Sequence, residues 1–237
     1  MNILQKYHQE DWHTPAGRLM RDVIFGLNDG LVTSIGFVSG VTGAVIQSHV
    51  VVLTGIAQLV AGAVAMFIGA YLSNKSQQEF FYKEIAREQR EIKEIPDVEK
   101  QEIRDIYQEM GFKPEEVEMI VNRITSDEKL WVRFMMREEL GILDDDLESP
   151  VKAGTVMGVT FLAGGFFPLV PYFFTSDTLA ALNISVIVSV LVFFLIGVGK
   201  SKLTKMHWFR SGMQVTCLGG LAAGVGFLIG KGIALFL

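Results

Sequence analysis

The chain has 237 residues, half of them hydrophobic and a fifth charged, with a formal net charge of −5. The apolar residues cluster in long runs and the mean hydropathy is positive, which argues for a membrane protein. The single cysteine, Cys217, excludes an internal disulfide framework, and no basic, aromatic-interleaved patch supports nucleic-acid binding.

Residues 1–21 read as a polar lead without the short apolar core of a cleavable signal peptide, so the first membrane helix is expected to be its own insertion signal. His8 and His13 lie close to Glu10 and Asp11, but a frayed or amphipathic terminus is the simpler reading than a metal site.

Val23–Ile46 is the first predicted membrane helix. Its only ionisable side chain is Asp29. A carboxylate at that depth costs roughly 2.5 kcal/mol or more in lipid, so it should face a protein interior or a wet path. Asp22 lies seven residues earlier, which puts both acids on nearly one face, about 10 Å apart along the axis. Gly26/Gly30 and Gly36/Gly40 have the four-residue spacing that lets a second helix approach closely. Gln47-Ser48-His49 is a tight, uncharged turn, and Val50–Leu72 is the second span, with Gly55, Gly62 and Gly69 at heptad spacing.

No Pro or Gly occurs from Leu72 to Ile95, and Pro96 is the first breaker, so the second helix is predicted to continue as a charged extension to about Ile95. Helices follow over Val98–Met110, ended by Gly111; from Pro114 to about Thr125; and from the cap Ser126-Asp127-Glu128 to Leu140, stopped by Gly141. Residues 73–150 thus form a small helical insert between membrane segments 1–72 and 151–237. The third span is about Val151–Phe174, with Pro168 and Pro171 bending its far end. Thr175-Ser176-Asp177 is a short turn, and Leu179–Val198 and Met213–Leu237 are the fourth and fifth spans. The expected fold is an all-α, polytopic membrane protein with five transmembrane helices and one cytosolic helical insert.

Twelve Lys and Arg residues lie between Lys75 and Arg137; others sit in the N-terminal lead and between the fourth and fifth spans. The excess places the lead, the insert and that last loop in the cytosol. Five spans alone make a poor closed pathway, and the glycine-rich faces point to a homodimer with the route near its two-fold axis.

The extension carries Glu84, Glu88 and Glu91 in one stripe with Glu94 on its shoulder. Such like charges repel unless compensated or bridged by a cation. Lys83, Arg87, Arg90 and Lys93 are interleaved, so a salt-bridged surface helix is the competing reading. Met135 and Glu139 share a face of the last insert helix. Thioether beside carboxylate suits a borderline first-row divalent ion better than calcium or magnesium, whereas a core-packing Met135 is the plain alternative. Gln58 and Met66 lie near one face of the second membrane helix, Met66 facing lipid or a partner.

At these residues the chain resembles the vacuolar iron transporter family, over nearly its whole length. The resemblance rests on Arg21-Asp22-Val23-Ile24-Phe25-Gly26-Leu27-Asn28-Asp29-Gly30-Leu31, on Ala61-Gly62-Ala63-Val64-Ala65-Met66, on Tyr71-Leu72-Ser73 leading into the acidic helix, and on Arg137-Glu138-Glu139-Leu140-Gly141. It implies a homodimer whose first helices line a central path, and proton-coupled export of Fe²⁺ and similar divalent ions such as Mn²⁺, Zn²⁺ or Co²⁺ from the cytosol. By position it implies that Asp29 and Met66 belong to a membrane-embedded metal site and Asp22 to its cytosolic mouth. It likewise assigns Met135, Glu139 and the acidic stripe Glu84, Glu88, Glu91 and Glu94 to a cytosolic metal-binding domain. Two positions depart from the family pattern. Gln58 stands where a glutamate is usual, and an amide carries no proton near neutral pH. Ala70 stands where an acid is common.

A metal-sensing or metal-buffering membrane protein with little transport is the second reading, motivated by Gln58. A membrane enzyme is the third, disfavoured because no nucleophile–base pair, phosphate loop or His-based catalytic zinc cluster is visible. The lack of a long targeting extension leans towards a bacterial inner membrane, or the vacuolar membrane if the source is eukaryotic.

Overall fold

A computed structural model describes residues 16–44, 47–141, 149–204 and 206–234. The polar lead with His8, Glu10, Asp11 and His13 lies outside the described residues. Helix α1 spans Ala16–Ala44 and α2 spans Ser48–Glu94, a single element of 47 residues. Pro96 opens α3 (Pro96–Glu109), Pro114 opens α4 (Pro114–Thr125), and Asp127 caps α5 (Glu128–Glu138) by accepting the backbone N–H groups of Lys129 and Leu130. Helix α6 (Pro150–Phe166) tightens into a 3₁₀ segment, Phe167–Phe173, where Pro168 and Pro171 remove backbone donors. Helices α7 (Thr178–Thr204) and α8 (Trp208–Ala234) complete the chain. The expected helices are all present, and five are long and apolar enough to cross a membrane. The principal differences lie at helix ends, where α1 starts seven residues before Val23 and α8 five before Met213.

The chain divides into two compact units, Met1–Tyr71 with Pro150–Leu237, and Leu72–Ser149. Helix α2 gives its apolar half to the first and its polar half to the second. At 1.5 Å per residue the whole helix is about 70 Å long, and about 20 residues suffice to cross lipid. The polar half therefore has no need to lie in the bilayer.

In the apolar unit α1 packs against α6, α7 and α8. The contacts are backbone to backbone. A side chain at Gly30 would strike the Phe161 carbonyl of α6, and one at Gly164 the Leu27 carbonyl of α1. Further along, Gly226 and Gly230 of α8 lie on the carbonyls of Gly36 and Gly40. Helix α6 also meets α2, with Gly154 2.8 Å from the Phe67 carbonyl and Gly158 3.0 Å from that of Ala63, measured from the Cβ each would carry. The sequence spacing correctly marks close approach, but Gly26/Gly30 and Gly36/Gly40 are used up within one chain. They supply no argument for a dimer. Leu31, Ile35, Val38, Leu59, Phe161, Leu169 and Phe193 fill the spaces between the helices.

The turns joining α1 to α2 and the 3₁₀ segment to α7 are stitched together. The Ser48 hydroxyl donates to the Ser176 carbonyl at 3.0 Å, Gln47 and Asp177 form an isolated antiparallel bridge, and the Thr42 and Tyr172 hydroxyls are 2.8 Å apart.

Gly30→Ala is expected to lower the apparent thermal unfolding temperature in detergent by several degrees, because a methyl in a backbone contact costs about 1–3 kcal/mol. Gly69→Ala, which meets nothing within 4 Å, should leave it unchanged or raise it slightly. Circular dichroism melts of both variants check the contrast.

Candidate functional site

Two groups of candidate residues occur, one in each unit. In the apolar unit Asp22 is 6% exposed, and its Oδ1 accepts a hydrogen bond from Arg21 Nε at 3.2 Å. Asp29, two turns further into the bundle, is half-buried and has no hydrogen-bond or ion-pair partner among the described residues. Gln58 on α2 has its Oε1 buried without a partner. Met66 is partly buried against the apolar cluster that contains Leu31 and Phe161, so within one chain it faces protein rather than lipid. No hydrogen bond joins these four side chains.

The polar unit brings its acids much closer. Glu88 of α2, Glu99 of α3 and Glu139 just beyond α5 each present a carboxylate oxygen within 4.8 Å of the others. Three local features put them there. Glu88 lies four residues before Ile92, so it shares the inward face of α2 with a buried core side chain. Glu99 lies four before Ile103, which is fully buried, and so rides the apolar stripe of α3. Glu139 caps α5 at its C-terminal end. Its N–H and that of Leu140 both bond the Met135 carbonyl, and Gly141 at φ +63° turns the chain away. The helices are held in register by a core of Ile92, Ile103, Val117, Val121, Ile124, Trp131, Val132 and Met135. Ion pairs from Lys93 to Glu128 at 2.9 Å and from Arg104 to Glu118 reinforce it at the rim.

Glu88 and Glu99 are 2% and 3% exposed, and Glu88 Oε1 and Glu99 Oε2 are buried with no hydrogen-bond partner. Burying carboxylates side by side disfavours their ionised forms. Desolvation first, and then the negative charge of Glu99 and Glu139, pushes Glu88 up to about 8. Desolvation and the charges of Glu102, Glu99 and Glu91 push Glu139 up to about 6. Glu99 is raised by desolvation first and then by the charge of Glu102, with the neighbouring Glu88 acting the other way. A divalent cation entering this cluster would replace protons as the charge that balances it.

The six residues expected in this unit are placed differently from one another. Glu88 and Glu139 are in the cluster. Glu91 is half-buried next to it and Glu84 one turn before it, both paired with Arg87. Glu94 is exposed and outside the cluster, because its position falls well round the helix from Glu88. Met135 is fully buried in the apolar core, one turn before Glu139. Glu99, and Glu102 three residues on, escape the sequence reading. An acid in register with Ile103 and Ile106 on an otherwise apolar stripe is the signal that finds Glu99.

Metal-free protein should become less stable as pH rises from about 5 to 8.5. Glu88 and Glu139 hold protons in the folded state that the unfolded chain releases near its ordinary carboxylate pKa. Their contribution is therefore complete below that pKa and lost as pH passes 6 and then 8. Thermal melts of the full chain in detergent check this, and Glu88→Gln should flatten the upper part of the profile.

The VIT family model matches residues 20–231. Vacuolar iron transporter 2 of Oryza sativa subsp. japonica is 35% identical over 233 residues, covering 98% of this chain and 94% of that protein. Vacuolar iron transporter 1 of Arabidopsis thaliana is 32% identical over 224 residues, covering 94% and 90%. Protein CCC1 of Saccharomyces cerevisiae is 30% identical over 222 residues, covering 90% and 69%. These relatives give no support to the bacterial inner membrane expected from the sequence.

Proposed function

The chain belongs to the VIT family, and from that membership we propose that it carries divalent metal, Fe²⁺ foremost and Mn²⁺ as a second cargo, out of the cytosol. It is a membrane transporter and not an enzyme. The observation that supports a metal cargo most directly is the convergence of Glu88, Glu99 and Glu139 within 4.8 Å, with two buried carboxylate oxygens unpartnered. Such a cluster gains by taking a cation and loses by staying ionised without one. In this reading the polar unit lies on the cytosolic side, where the excess of Lys and Arg puts it, and collects the ion. Glu91, Glu102 and the thioether of Met135 complete the donor set, with carboxylates predominating and one soft ligand favouring a first-row ion over calcium. Glu84 and Glu94 then serve as outlying negative charge that draws cations in.

The membrane route runs past Asp22 to Asp29, with Met66 and the Gln58 carbonyl near mid-bilayer. Asp29 is only half-buried within one chain, and an ionised acid open to acyl chains is costly. A second copy of the chain covering that face removes the cost and doubles the acids along the path, which supports a homodimer. Because Gln58 holds no titratable proton, any proton counter-flow falls to Asp22 and Asp29.

Purified protein in liposomes should move Fe²⁺ or Mn²⁺ down an imposed gradient, and Asp29→Ala should reduce the rate by at least tenfold. Wild-type flux in Asp29→Ala rules out the route. Metal binding with no flux in the unaltered protein makes the chain a membrane-anchored metal buffer instead.

A further inference from the structure

Arg87 is a cation standing among the acids beside the three-acid cluster. Arg87 is on α2, between Glu84 and Glu91. Its Nε donates to Glu91 Oε1 at 2.9 Å, and its terminal nitrogen is 3.6 Å from Glu84 Oε2. The Arg87 side chain itself is largely exposed, whereas those of Glu84 and Glu91 are 16% and 28% exposed. Its charge also reaches Glu99 and Glu139, opposing the rise in both of their pKa values. Arg87 thus touches Glu84 and Glu91 beside the three-acid cluster and its charge reaches Glu99 and Glu139 within it, but it does not satisfy Glu88 Oε1 or Glu99 Oε2, which remain unpartnered.

We propose that Arg87 is a built-in competitor of the metal: it occupies Glu91 while the site is empty of cargo, and Glu91 is released from the guanidinium when a divalent cation enters. The inference rests on the metal-collecting role proposed above for this unit. The geometry favours exchange over permanent pairing. An exposed guanidinium paired across one helical turn gains little, because water screens it and both long side chains lose freedom. A divalent ion among several carboxylates gains far more from each one. The arginine is held on the same helix as Glu88 and Glu91, so it remains at high local concentration after release and re-pairs as the ion departs. A cluster of so many acids with no internal cation would hold a divalent ion tightly. Arg87 lowers that affinity to a level from which a carrier can pass the ion on.

Arginine is suited to this role. Its fork reaches two carboxylates at once, and it stays charged at every pH at which the cluster titrates. Lysine in its place keeps the charge as a point and should conserve most of the effect. Glutamine keeps helix propensity and length while removing the charge.

The test is Mn²⁺ binding by the full chain in detergent, measured by isothermal titration at pH 7 with the unaltered protein, Arg87→Gln, Arg87→Lys and the double variant Arg87→Gln/Glu91→Gln. Arg87→Gln should bind roughly five- to tenfold more tightly, the worth of one screened charge pair. Arg87→Lys should stay within about threefold of the unaltered protein. The double variant should lose the gain, because the released carboxylate is then missing. Unchanged or weaker binding by Arg87→Gln, with normal binding by the unaltered protein and unchanged thermal melts, overturns the competitor role while leaving the collecting role intact. An equal gain in Arg87→Lys overturns it too, since charge would then be irrelevant. Failure of the unaltered protein to bind Mn²⁺ or Fe²⁺ overturns the collecting role itself.

Discussion

Like charges forced together govern this molecule. Three carboxylates lie within 4.8 Å of one another in the polar unit, two of them almost wholly removed from water. Water is the usual remedy for such repulsion, and the fold denies it to Glu88 and Glu99. What remains is neutralisation by a proton or by a cation. The raised pKa values of Glu88, Glu99 and Glu139 represent the first remedy, and the proposed cargo the second. A site poised between the two would bind metal in competition with protons. Its affinity for the proposed cargo would then rise with pH even as the metal-free fold becomes less secure.

The two units solve opposite packing problems. The apolar unit has no hydrophobic drive between helices surrounded by lipid, so it relies on close backbone contact, for which Gly30, Gly164, Gly226 and Gly230 are required. The polar unit sits in a short stretch of chain with a small core, in which Ile103, Val117, Val121 and Met135 are nearly or completely buried. That core holds one face of α2, the first turn of α3 and the C-terminal end of α5 at fixed spacing. Met135 belongs to the core and is also one turn from Glu139. Packing and ligation are compatible roles for a thioether at the boundary between the two.

Much of the fold was legible because its punctuation is local. Pro96, Pro114, Asp127, Gly111 and Gly141 each act through their own backbone or cap geometry, and the helices begin or end beside them. The uninterrupted run from Leu72 to Ile95 likewise announced the extension of α2. The site was legible only where it lies on one helix. The stripe of Glu84, Glu88 and Glu91 follows from 3.6 residues per turn, but the meeting of Glu88 with Glu99 depends on how α2 and α3 pack, which no spacing within either helix encodes. The same limit applies to the glycines. Their four-residue spacing gives close approach without naming the partner helix, and the partners turned out to be α6 and α8 of the same chain.

The two short turns that are stitched at the far end of the apolar unit have a bearing on release. Their one carboxylate, Asp177, is spent on the backbone N–H groups of Leu179 and Ala180, as the cap of α7. The other polar groups there are hydroxyls and amides that bond one another, plus the exposed His49 imidazole. For export in the direction proposed, a departing ion would meet no free carboxylate among the described residues of these turns. Under the proposed direction, rebinding from the far compartment would then be weak, and accumulated product would do little to slow further turnover.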